Sequence, residues 1–194
     1  TFDPPHLAHL ALPFAAAAQV EADGVLYVPA GRPPHKHDPH RTPGRHRLAM
    51  LRRALGDRDD AAVCTCELDH AGPSYTWKTL EHLRDRLGEA IDLRLLVGMD
   101  MALIFHEWRR PDRIIELADP LVALRPPHDR HSFADALPDD WRAFWLDRIV
   151  DAPAMDVSSS ELRAALARGD RATANRWIHS DVLSYIDAHD LYAR

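Results

Sequence analysis

The sequence predicts an α/β fold in which helices flank a parallel β-sheet. Short apolar runs such as residues 25–28 and 93–98 are rich in β-branched, aliphatic and aromatic side chains, which is typical of strands buried on both faces. Longer segments with helical periodicity, such as residues 45–55 and 76–87, alternate with them. This alternation favours parallel pairing through right-handed crossovers.

The first half of the chain alternates between the two element types, with turn residues between them. Apolar residues recur at helical spacing after Pro5, and glycine or proline residues separate the later segments. The predicted elements are a helix over residues 6–21, a strand over 25–28, a helix over 45–55, a strand over 61–68 and a helix over 76–87. The 61–68 strand includes Cys64 and Cys66, which we expect to be buried, reduced thiols.

The second half continues the alternation and then becomes helical. Trp141, Phe144 and Trp145 indicate an accessory helix that packs onto the body. The predicted elements are a strand over 93–98, a helix after Met99, a strand over 120–125, the accessory helix within 126–147, a short strand over 149–151, a helix from Ser158 and a helix over 181–189. We expect one domain over 1–194, with a helical C-terminal subregion over 157–194.

Composition excludes several classes of protein. The net charge is −6, so general nucleic-acid binding through bulk charge is not expected. Apolar residues make up 46% of the chain, yet no apolar run approaches membrane-spanning length. We therefore expect a cytoplasmic protein that acts on small molecules without a nucleic-acid or membrane partner. The sequence leaves open whether the chain forms a homo-oligomer.

The first stretch that indicates chemistry is the N-terminal TFDPPHLAH segment. Proline fixes φ and lacks an N–H, so Asp3-Pro4-Pro5 predicts a turn before the helix. His6 and His9 then lie one turn apart on a helix start, where free N–H groups and the helix dipole favour anions. The pair predicts a polyphosphate site. For an isolated pair of histidines, solvation or capping would be the simpler interpretation.

A second stretch, Val157-Ser158-Ser159-Ser160-Glu161-Leu162-Arg163, places three hydroxyls before a periodic apolar run. Capping of a helix N-terminus is by itself a sufficient explanation of this pattern. A helix start with hydroxyl donors and an arginine one turn later is also typical of phosphate binding.

The two stretches together resemble the motifs of the adenylyl- and cytidylyltransferase superfamily, which has a Rossmann-like nucleotidyltransferase fold. TFDPPHLAH resembles GGTFDPxHxGH, and SSSELR resembles ISSTxxR. The resemblance implies that His6 and His9 are catalytic. It also implies an ATP site, whose residues are Thr1, Phe2, His6, His9, Asp100, Ser158, Ser159, Ser160 and Arg163.

Further segments are similar to one branch of that superfamily, the bacterial nicotinate-nucleotide adenylyltransferases. The segments are PPHK at 33–36, SYTWKTL at 74–80, GMD at 98–100 followed by Trp108, and YI…LY at 185–192. In the branch the aromatic residue stacks on the nicotinate ring. The implied nicotinate mononucleotide contacts are Lys36, Arg47, Thr76, Trp108, Arg109 and Arg125.

The chain departs from the family pattern in several places. Ala8 replaces the glycine between the histidines, Lys78 replaces an Asp or Gln, and Arg109 stands where relatives often have Tyr. The family's first strand and its paired glycines precede the TFDP motif, so we expect that strand to be missing from this chain.

The resemblance implies adenylyl transfer from ATP to nicotinate mononucleotide, with Mg²⁺ held mainly by phosphates and water and no metal site built by protein side chains. Alternatives are a related enzyme that uses nicotinamide mononucleotide or phosphopantetheine, and a non-catalytic nucleotide-binding protein. A third is a metal-binding module on the basic loop that contains His35, His37 and His40, although their spacing is loose.

Overall fold

The structure is a computed structural model that describes residues 1–32, 41–124 and 129–193. Its contacts divide the chain into two compact units. The first unit comprises Thr1–Phe14, Asp23–Pro73 and Val157–Arg194, and the second comprises Ala15–Ala22 and Ser74–Asp156. A single nucleotidyltransferase domain over 1–194 stays a prediction.

The first unit contains a parallel strand pair and, among the described residues, all or part of six helices. Val25 pairs with Ala61, and Tyr27 pairs with Val63. The elements are α1 (Leu7–Gln19, which enters the second unit at Ala15), β1 (Val25–Tyr27), α2 (Gly44–Leu55), β2 (Ala61–Val63), α3 (Cys66–Asp69), α9 (Ser159–Ala167), α10 (Arg171–Trp177) and α11 (Ser180–Ala188).

The core of the first unit forms where α2 covers the strand pair. Leu51 and Leu55 of α2 pack with Tyr27 of β1, and Phe2 and Phe14 pack against this cluster. The segment before α1 therefore contributes a side chain to the core, which ties the N-terminal motif to the sheet.

The second unit is built on a three-stranded parallel sheet in the order β3-β4-β5. Its elements are α4 (Thr76–Leu87), β3 (Arg94–Gly98), α5 (Met99–Leu103), a 3₁₀ turn (Phe105–Glu107), α6 (Pro111–Leu117), β4 (Asp119–Ala123), α7 (Arg130–Ala136), α8 (Asp139–Leu146) and β5 (Ile149–Val150). Its core contains Phe105, Phe133 and Trp145, all completely buried.

The α/β class with parallel sheets flanked by helices is confirmed. The strand predicted over residues 61–68 is too long, because β2 ends at Val63 and Cys66 starts the short helix α3. Thr65 Oγ1 donates to Asp69 Oδ2 at 2.6 Å, and such local side-chain bonds favour a helical turn over continued strand pairing. Cys64 and Cys66 are half-buried free thiols, so the predicted full burial is also wrong.

In the part of the chain that the structure describes, no helix is long and apolar enough to cross a membrane.

Candidate active site

The N-terminal motif folds into a turn that leads into α1. The histidine pair is held by its own backbone: the His9 N–H donates to the His6 carbonyl at 2.8 Å, and the His6 N–H donates to His9 Nδ1 at 3.2 Å. The two ring centroids are 3.7 Å apart. The predicted pairing of these imidazoles on the first turn of a helix is therefore present.

The bond to His9 Nδ1 fixes which nitrogen carries the proton. A neutral imidazole has one N–H and one acceptor nitrogen. Because Nδ1 accepts the His6 N–H, the proton of neutral His9 lies on Nε2. His9 thus offers a single N–H donor, which is the group that an anionic oxygen needs.

Both imidazoles are neutral at physiological pH. Burial lowers the pKa of His6 to about 4. Burial, followed by the neighbouring His6, lowers the pKa of His9 well below its ordinary value. His6 is only 6% exposed, and its Nδ1 has no hydrogen-bond partner among the described residues. A buried polar atom without a partner is costly unless a ligand or water meets it.

The serine-rich motif caps α9 as its residue types predict. Ser158 accepts the N–H of Glu161, while the Glu161 carboxylate accepts the N–H of Ser158. This reciprocal capping leaves the next hydroxyl free to reach another segment: Ser159 Oγ donates to the carbonyl of Pro4 at 3.0 Å. Two motifs separated by 155 residues therefore touch at their helix starts.

Arg163 makes the second contact between the motifs. Its guanidinium donates to the backbone carbonyl of Asp3 at 2.8 Å and to Ser160 Oγ at 3.2 Å. His6, His9, the three serines and Arg163 all belong to the first unit. The structure thus brings together the side chains for which the sequence predicts phosphate binding.

Asp3 is the centre of a network that sequence reasoning missed. It is 3% exposed; Oδ1 accepts the Tyr192 hydroxyl at 2.6 Å, and Oδ2 accepts the Thr42 N–H at 3.2 Å. Burial and the Asp3 charge raise the pKa of Tyr192 far above its ordinary value, so the phenol keeps its proton. The LY pair at the chain end was a visible signal, but it did not indicate a partner.

Arg47, predicted to contact the mononucleotide phosphate, makes buried contacts with the backbone. The side chain is 2% exposed and donates to the carbonyls of Thr42, Thr1 and Ala30 at 3.0, 2.9 and 2.7 Å. A guanidinium that joins three backbone segments inside the protein is poorly placed to bind a substrate. The phosphate contact stays a prediction that this geometry does not favour.

Phe2 packs against the histidine pair, and Thr1 and Ala8 are its neighbours in sequence. The Phe2 ring packs edge-on to His9 and Tyr27, with ring centroids 5.0 and 5.8 Å apart, while the Thr1 carbonyl is bound by Arg47. Ala8 is 4% exposed, so the methyl group that replaces the motif glycine lies inside the protein.

The remaining predicted contacts that the structure describes lie in the second unit. Thr76 is the first residue of α4, and Asp100 lies exposed in the first turn of α5. Trp108 follows the 3₁₀ turn and packs on Phe105, with ring centroids 5.1 Å apart. Arg109 is exposed, with its guanidinium carbon 5.3 Å from the ring centroid of Tyr75.

Several sequence hypotheses fall outside the described residues. They are the phosphate contacts of Lys36 and Arg125, and the metal-binding alternative on His35, His37 and His40.

Known proteins are similar to this chain over most of its length. The Cytidylyltransferase-like family matches residues 1–165. A Roseiflexus sp. (strain RS-1) protein named as a nicotinate-nucleotide adenylyltransferase is 37% identical over 195 residues, covering 99% of this chain and 94% of the relative. A Salinibacter ruber protein of the same name is 35% identical over 193 residues, covering 99% and 94%.

Solved structures show the same fold. Plasmodium falciparum nicotinic acid mononucleotide adenylyltransferase complexed with NaAD matches with a TM-score of 0.73 and 18% identity, covering 98% of this chain and 93% of that one. The same Plasmodium enzyme complexed with APC matches with a TM-score of 0.73, 17% identity, and 98% and 92% coverage.

Proposed function

Because the chain belongs to the cytidylyltransferase-like family, we propose that it transfers the adenylyl group of ATP to nicotinate mononucleotide, releasing pyrophosphate and forming nicotinate adenine dinucleotide. The chain is an enzyme of the nucleotidyltransferase class. The observation that carries this proposal is the bond from Ser159 Oγ to the Pro4 carbonyl, because it joins two helix starts suited to one triphosphate.

The triphosphate of ATP binds at these helix starts. His9 Nε2–H donates to a phosphate oxygen, and the unpartnered Nδ1 of His6 gains a partner when ligand or its water shell arrives. Arg163 supplies the permanent positive charge, since its guanidinium has further N–H groups beyond the two that contact Asp3 and Ser160. Asp100 binds the ribose, and Thr1 and Phe2 border the nucleotide.

The pyridine mononucleotide binds through residues of the second unit. Trp108 offers a flat aromatic face for the ring, and Thr76 opens α4 where free N–H groups favour a carboxylate. Arg109 adds a cation, while Lys36 and Arg125 take the phosphate.

The reaction is an in-line displacement. A phosphate oxygen of the mononucleotide attacks the α-phosphorus of ATP, the new P–O–P bond forms, and the bond to the departing pyrophosphate breaks. No covalent enzyme intermediate is needed. The protein contributes alignment and preorganised donors for the charge that builds on the phosphate oxygens.

Magnesium enters with ATP as the Mg–ATP complex. The motif carboxylate Asp3 is already bound by Tyr192 and Thr42, so it does not offer free oxygens to the ion. A magnesium ion bound with ATP would then be held mainly by phosphate oxygens and water, which suits the reluctance of Mg²⁺ to lose its waters.

The deciding experiment is a coupled pyrophosphate assay with Mg–ATP and nicotinate mononucleotide on His9→Ala. Losing one preorganised donor costs about 2–4 kcal/mol of barrier, which is roughly 30- to 1,000-fold in turnover. His131→Ala is the matched control, because that imidazole side chain is 88% exposed and lies outside the motifs. Near-normal turnover in a folded His9→Ala protein would overturn the proposal.

The same assay separates the acceptor alternatives. Nicotinate mononucleotide, nicotinamide mononucleotide and phosphopantetheine are compared at equal concentration. ATP binding without pyrophosphate release from any of them would instead identify a nucleotide sensor.

A further inference from the structure

Two free thiols lie close together where β2 leads into α3. Cys64 directly follows β2, and its backbone N–H donates to the Tyr27 carbonyl at 2.9 Å. Cys66 is the first residue of α3. The sulfur atoms of the two cysteines lie within 4.8 Å of one another, and both residues are half-buried. They form a dithiol pair that is partly accessible to solvent and that the proposed adenylyl transfer does not use.

The backbone between the two thiols suits a disulfide bond. Thr65 has φ −93° and ψ 4°, which is a bend and not extended strand backbone. An extended strand would separate the flanking Cα atoms by about 6.6–6.8 Å, at the upper limit of the roughly 4.4–6.8 Å that disulfides span. The bend at Thr65 shortens this separation. The backbone spacing and the short distance between the sulfur atoms are therefore both compatible with a bond between Cys64 and Cys66.

The environment gives the two thiols different chemical roles. Burial, followed by a hydrogen bond to Cys64, raises the pKa of the Cys66 thiol to about 12. Cys66 therefore keeps its proton and donates it towards the Cys64 sulfur. Since the thiolate is the nucleophilic form of cysteine, this arrangement makes Cys64 the attacking sulfur. The Cys64 charge contributes to the raised pKa of Cys66, so part of that rise disappears once Cys64 becomes a neutral oxidised group.

We propose that Cys64 and Cys66 form an oxidation site at which hydrogen peroxide closes an intramolecular disulfide. The Cys64 thiolate attacks one oxygen of the peroxide, the O–O bond breaks, and Cys64 becomes a sulfenic acid as hydroxide leaves. The Cys66 sulfur then attacks the Cys64 sulfur, the S–O bond breaks, and the departing hydroxide takes up the Cys66 proton as water. Two thiols are thereby oxidised to one disulfide, while one hydrogen peroxide is reduced to two molecules of water.

The test treats the full chain with hydrogen peroxide and then counts free thiols by alkylation and intact mass after denaturation. The chain contains only two cysteines, so every thiol that is lost belongs to this pair. The wild-type chain should lose both thiols together, with the mass of two hydrogen atoms. Dithiothreitol should restore both, because an accessible disulfide is readily reduced. Methionine oxidation adds oxygen instead of removing hydrogen, so the mass distinguishes it.

Cys64→Ser and Cys66→Ser are matched variants, because each keeps one thiol of the pair. Cys66→Ser should form a sulfenic acid at Cys64, which dimedone traps. Cys64→Ser should react about tenfold or more slowly, since burial disfavours the Cys66 thiolate.

The inference is overturned if the wild-type chain keeps both thiols, or if it forms only disulfides between chains on a non-reducing gel. Equal rates of oxidation in the two single variants would also overturn it. If a serine variant does not fold, the thiol count and mass of the wild-type chain decide. The test uses no nucleotide, so its failure is distinct from a failure of the proposed function.

Discussion

Replacing Tyr192 with phenylalanine deletes one hydroxyl group from the network beneath the N-terminal motif. That hydroxyl donates to Asp3 Oδ1 at 2.6 Å, and Asp3 is almost completely buried. The other carboxylate oxygen accepts the backbone N–H of Thr42 at 3.2 Å. The ring itself keeps its shape, so the variant removes the bond to the buried carboxylate together with the hydroxyl's contacts to Met50 Sδ and the Thr42 side chain.

The expected cost follows from the charge of the acceptor. Hydrogen bonds to charged groups contribute about 1.5–3 kcal/mol to stability, against about 0.5–1.5 kcal/mol for neutral pairs. In a chain of this size each kcal/mol shifts Tm by about 2–4 °C, so Tyr192→Phe should lower Tm by about 3–12 °C. Because the backbone carbonyl of Asp3 is bound by Arg163, we also expect a higher KM for ATP.

Thermal and urea unfolding of the wild-type chain, Tyr192→Phe and Tyr185→Phe measure this effect. Tyr185→Phe is the control, since the Tyr185 hydroxyl bonds to His46 Nδ1 at 2.9 Å. The pKa of His46 is lowered, so this bond joins two uncharged groups. Burial, followed by Arg45, lowers that pKa. Equal losses of stability in the two variants would refute the charge-based reasoning. An unchanged stability of Tyr192→Phe would contradict the central role of Asp3 in the network.

Two further predictions concern buried cations and imidazoles. Arg47→Met removes a guanidinium that donates to three carbonyls, so the free energy of unfolding measured in urea should fall by about 3–6 kcal/mol. If the variant instead keeps its stability and shows a raised KM for nicotinate mononucleotide, the result would support the phosphate contact. The pKa of His6 is about 4 in the folded protein and about 6.5 when unfolded, so the unfolded state binds more protons between these values. Stability should therefore fall by up to about 3 kcal/mol as pH drops from 6.5 to 4, and His6→Gln should flatten this slope in pH-dependent urea unfolding.

Local rules were enough to predict the elements that lead to the site. The helix over residues 76–87 has the bounds of α4, and the turn at the two prolines and the cap at Ser158 are present. Each depends on neighbours in sequence: proline geometry, helical periodicity and a hydroxyl three residues before its N–H partner.

The supporting contacts could not be predicted in the same way. Tyr192 and Asp3 are 189 residues apart, and Arg47 and Thr1 are 46 apart. Arg47 lies within a basic run, and a charged residue in such a run is usually solvated. Its burial depends on three carbonyls that only the folded backbone brings together, so its residue type indicated a surface or ligand role.

The N-terminal turn shows why these distant contacts matter for chemistry. Arg47 holds the Thr1 carbonyl, Tyr192 and Thr42 hold the Asp3 carboxylate, Arg163 holds the Asp3 carbonyl, and Ser159 holds the Pro4 carbonyl. His6 and His9 follow directly on this turn, so their position depends on bonds from segments across the first unit. Catalysis by preorganised donors needs such support, because a donor that must move during the reaction loses much of its benefit. Residues near the end of the sequence therefore support the turn from which the two histidines follow.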